Sequence, residues 1–67
     1  MTRFEVGDRV KILPTVATPF VGLDGTVHEI LPHARDITTL HRYVVVFGWG
    51  EKQAFYDAQL AGIEIQK

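Results

Sequence analysis

The stretch "YVVVF", residues 43–47, followed at once by "GWGEKQAFY", residues 48–56, decides how the chain folds. A strand with one wet face alternates apolar and polar residues, yet these five positions offer no polar alternate. The glycines on either side of Trp49 are able to adopt positive φ, so "GWGE" reads as a hairpin tip and Lys52 to Tyr56 as the returning strand. With Tyr43, Val45, Phe47 and Phe55 turned inward, the two-residue period sends Val44, Val46, Ala54 and Tyr56 outward, with Trp49 at the end of that face.

Working outward, "VGDRVKIL" alternates Val10 and Ile12 against Arg9 and Lys11 after a Gly-Asp turn, which is a strand with one dry face. The next segment carries Pro14, Pro19 and Gly22 and reads as a loop anchored by Phe20 and Leu23. A second strand starts from the Asp24-Gly25 turn. Its apolar Val27 and Ile30 stand three apart, which breaks the alternation and predicts a β-bulge. Pro32 to His41 forms a second loop, and the third strand runs from Arg42 to Phe47. "DAQLAGI" is too short for an α-helix and reads as one 3₁₀ turn that sets Leu60 beneath the sheet, with Ile63 and Ile65 on a short fifth strand. The expected fold is all-β: a five-stranded SH3-like barrel occupying 1–67 as one domain, with a single 3₁₀ turn before the last strand. Met1 to Arg3, Gln66 and Lys67 read as loose ends.

Composition narrows the function. At 67 residues the chain is one small domain, and domains near this size bury only ~60% of their unfolded surface. With no cysteine it has neither disulfides nor thiolate ligands to add stability, and the expectation is no cofactor of its own. No long apolar run and no basic leader followed by one is present, so a soluble cytoplasmic protein is expected. Seven Lys and Arg against eight Asp and Glu give a net charge of −1, which attracts neither nucleic acid nor an anionic membrane over the whole surface.

Little chemistry is spelled out. His28, His33 and His41 are spaced five and eight apart, which fits no metal pattern, and loop histidines are expected to be solvated. There is no Cys or Ser nucleophile, and Thr38 and Thr39 beside His41 are only loop neighbours. The carboxylates lie at turns and strand ends, where solvation is usual, and the glycines at 22, 25, 48 and 50 are assigned to turns. What stands out is the outward set Val44, Val46, Trp49, Ala54 and Tyr56, more than scattered apolar exposure and hence a candidate contact for another protein or a second copy. The bland counter-reading is that Arg42 and Lys52 lay their stems over the valines, which β-propensity alone would select. A nucleic-acid surface of Arg9, Lys11, His41, Arg42, Trp49 and Lys52 is the rival.

The motifs "VGDRVKI", "FVGLDGTV", an Asp-Ile ahead of the "VVVF" strand, and "FYDAQL" together resemble the variable (α) subunit of ferredoxin–thioredoxin reductase, over roughly Phe4 to Leu60. They are similar, more loosely, to the SH3-like accessory subunits of photosystem I and of the photosynthetic NDH complex, to the barrel of the nitrile hydratase β-subunit and to KOW-type domains. The resemblance implies a non-catalytic barrel that docks on an iron–sulfur redox enzyme; the shorter first loop and the "GWGE" tip depart from it. A second resemblance, to type II dihydrofolate reductases, implies a tetrameric enzyme whose Val-Gln-Ile-Tyr motif works on one strand. Here Gln53 and Tyr56 are separated by one residue too many to share a face.

Overall fold

The computed structural model describes residues 2–14 and 18–63. Five antiparallel strands form one sheet: β1 (Arg9–Ile12), β2 (Asp24–Leu31), β3 (Arg42–Val46), β4 (Lys52–Tyr56) and β5 (Leu60–Gly62), in the order β4-β3-β2-β1-β5. The all-β expectation is met, with β4 at its expected bounds and β3 one residue shorter than expected, ending at Val46 and not Phe47. Two further details differ. The described residues hold two 3₁₀ turns, not one: Asp57–Gln59 before β5, as expected, and Thr38–Leu40 within the second loop. The fifth strand ends at Gly62, with Ile63 just beyond it donating its N–H to Arg9 O, while Ile65 lies outside the described residues.

Parity explains the core. Val10 and Ile12 from β1, Val27 from β2, Tyr43 and Val45 from β3, Phe47, Phe55 from β4 and Leu60 from β5 are all buried, joined by Phe4. The bulge falls where the spacing of Val27 and Ile30 demands it: Val27 pairs with Val45, but Glu29, not His28, pairs with Val44. That slip restores Ile30 to the inner face opposite Tyr43, so both apolar residues of β2 serve one side. Phe20 anchors the first loop as expected, its ring stacked 4.9 Å from that of Phe47.

Gly25 is not a turn residue. It lies inside β2 on the inward side, opposite Val10, and a Cβ there would collide with Val45 Cγ1 and stand 3.0 Å from Val46 O. The turn before β2 is made instead at Gly22, whose φ of 81° is open to glycine.

The sheet is strongly curled. β4 and β5 occupy opposite edges, and four Cα steps from Tyr56 to Leu60 reach at most about 14 Å. The edges of a flat sheet of this many strands would stand about 19 Å apart. The 3₁₀ turn between them, capped by Gln59 Oε1 accepting the Tyr56 N–H at 2.7 Å, is therefore a corner at which the two edges converge. Arg3 fastens it. Its guanidinium donates to Asp57 Oδ2 at 3.1 Å, Asp57 O at 2.9 Å and Leu60 O at 2.7 Å, and lies over the Phe4 ring. Arg3 is thus not a loose end, and Asp57 is a buried ion-pair partner and not a solvated carboxylate.

Candidate protein-contact face

Residues opposite one another in a ladder share a face. The outward rows across the hairpin are Thr26–Val46–Lys52, Glu29–Val44–Ala54 and Leu31–Arg42–Tyr56. Val44, Val46, Ala54 and Tyr56 are thereby brought to one surface, as the alternation predicts. Val44 and Val46 are only half-exposed, as valines flanked by longer side chains are, whereas Tyr56 retains 47% of its surface.

Trp49 does not join them. Its ring stacks on that of Phe47 at 5.0 Å and 8° between planes, continuing the inward Phe20–Phe47 column. Its Nε1–H donates to Glu51 Oε1 at 3.0 Å, and Gln53, opposite the buried Val45, donates to Glu51 Oε2 at 2.9 Å. The indole therefore lies toward the inner side of the hairpin. Gly50, at φ 91°, is what turns the tip, whereas Gly48 does not take a positive φ. Held by two donors, first Trp49 and then Gln53, the Glu51 carboxyl sits below its ordinary value of 4.5.

The outward face continues into a cleft of about 420 Å³ beyond the end of the hairpin strands. Leu31, Pro32, Ala34 and Leu40 give it apolar walls, and Arg42 and Tyr56 form its sheet side. Leu40, in the 3₁₀ turn, is 42% exposed. The guanidinium of Arg42 lies 6.0 Å from the centre of the Tyr56 ring. None of the sequence signals pointed to this cleft, because its loop wall is held by a histidine expected in solvent.

That histidine is His41, fully buried. Its Nδ1 accepts the His33 backbone N–H at 2.7 Å and its Nε2 lies 3.1 Å from Asp36 Oδ1. A lone pair on Nδ1 and a proton on Nε2 satisfy both contacts, so the ring is committed to bracing the loop. His41 consequently leaves the basic stripe. Arg9, Lys11, Arg42 and Lys52 remain on the outward side of the sheet, but in different rows: Arg42 stands at the cleft with Glu29 in the next row, Arg9 and Lys52 share the row of Thr26 and Val46, and Lys11 pairs with Asp24.

Gln53 and Tyr56 fall on opposite faces of β4, one opposite Val45 and the other opposite Arg42. Among the described residues no three or more His, Cys, Asp or Glu converge as metal ligands, and no helix is long and apolar enough to cross a membrane. No protein family, curated protein or solved structure matches the chain.

Proposed function

We propose that this protein is a non-catalytic interaction module that docks through the outward face of the β3–β4 hairpin. The observation that carries the proposal is the continuity of the Val44, Val46, Ala54 and Tyr56 surface with the apolar cleft at its end. Polar-rimmed apolar surface of this kind is what a partner covers. The role of accessory subunit to an iron–sulfur redox enzyme rests on the motif resemblance alone; a cytoplasmic location is proposed separately, from the sequence's lack of a long apolar run. Self-association is the simplest form of the same reading, because identical patches pair about a two-fold axis. Sedimentation velocity tests it: the wild type is expected to associate with rising concentration, and Val46→Lys to remain monomeric with an unchanged far-UV spectrum. A wild type that stays monomeric, together with undiminished capture of protein partners by Val46→Lys, would reject the face.

A second reading, single-stranded nucleic acid, is favoured by Arg9 and Lys11 on β1, Arg42 on β3 and Lys52 on β4 all lying on the outward side of the sheet. It predicts salt-dependent binding of an oligonucleotide, lost on Lys11→Glu. Absence of binding at low salt removes it.

A further inference from the structure

We propose that the cleft receives an acidic, apolar segment of a partner protein, with a carboxylate on Arg42 and an apolar side chain between Leu40 and Tyr56. This rests on the interaction-module reading and specifies the partner's chemistry.

Three observations converge on it. Among the described residues the Arg42 side chain, like that of Arg35, has no hydrogen bond or ion pair, and of the two only Arg42 lines the cleft. The Tyr56 ring positions its guanidinium without neutralising it. Among the described residues Arg42 is the one cationic side chain in the cleft lining, and no carboxylate lines it. A carboxylate entering the cleft therefore meets a cation with no competing carboxylate in the lining, and a planar guanidinium pairs with a carboxylate through two parallel hydrogen bonds. Finally, the loop wall is preformed: His33, which lines the cleft, has its N–H held by buried His41, so little ordering is required on binding. A nucleic-acid strand fits less well. Stacking successive bases takes a row of aromatics, and here Tyr56 stands without Trp49, which is turned to the other side of the hairpin.

The test is selection of a random peptide display library on the intact protein, followed by titration of the recovered peptides by NMR. The expected result is a consensus of Asp or Glu beside a bulky apolar residue, with shifts concentrated at Leu40, Arg42 and Tyr56. Arg42→Ala should weaken those peptides about tenfold or more, in keeping with loss of a central arginine contact, and selection on Arg42→Glu should replace the acidic residue with Lys or Arg. Far-UV spectra of both variants serve as the folding control, and Arg42→Gln replaces whichever of them fails it. Peptides that map to the cleft without acidic enrichment would overturn the inference and leave the interaction-module reading standing. Failure to recover any peptide, together with oligothymidylate binding that requires Arg42 and Lys52, would overturn both.

Discussion

At the scale of single residues, two positions carry more than their type suggests. Gly25 is read easily as half of an Asp-Gly turn, yet its role is the absence of a side chain where Val45 crosses β2. Gly25→Ala should destabilise the fold by about 1–3 kcal/mol, the usual range for overpacking a core, measurable by urea denaturation. Wild-type stability in that variant would mean that Val45 has room to move. His41 is the second. Phenylalanine keeps an aromatic ring in the site, though a larger one, and cannot accept the His33 N–H. His41→Phe is expected to cost about 1–3 kcal/mol for the unsatisfied donor, and to raise amide exchange first at His33. If exchange at His33 is unaltered, the imidazole is not what braces the cleft wall.

Elements were legible in the sequence in proportion to how far parity governs them. The strands and the bulge follow from a period of two and one three-residue gap between Val27 and Ile30, because the same residues must all reach one core. Trp49 and His41 escaped this logic. Both sit just outside a ladder, where direction is set by the tip's backbone and by loop N–H groups that have no side-chain signature. The buried Asp57 escaped for a related reason: its partner Arg3 is 54 residues away and belongs to no strand. The hairpin tip offers its own test. Since the folded Glu51 carboxyl is held below 4.5 by the Trp49 and Gln53 donors, its contribution is present at neutral pH and is lost as pH falls through the folded value. A carboxyl ¹³C titration should place the Glu51 midpoint below 4.5. Trp49→Phe, which preserves a ring on Phe47 but removes the indole N–H, should move that midpoint upward. An unmoved midpoint would show that the indole contact does not persist in solution.

For the molecule as a whole, a small core is supplemented by a polar fastening at the corner where the curled sheet brings its edges together. Arg3 supplies the Asp57 ion pair and two carbonyl contacts there, and its N–H donates to Tyr43 Oη. Arg3→Ala should lower stability by about 1–3 kcal/mol, less than for a fully dry pair because half of the arginine remains in water. Chemical denaturation reads the loss, and Arg3→Lys should recover only part of it, since lysine cannot donate to three acceptors in one plane. A drop no larger than that of an ordinary surface arginine would place the corner's strength in Leu60 packing instead. The same fastening carries a consequence for biosynthesis. A polypeptide that emerges amino end first exposes Phe4, Val10 and Ile12 long before Asp57 and Leu60 exist, and β1 cannot pair with β5 until then. Folding of the complete sheet must therefore wait until β5 has emerged, and the early segment has to stay out of aggregates on the ribosome with only β2 available to pair with it.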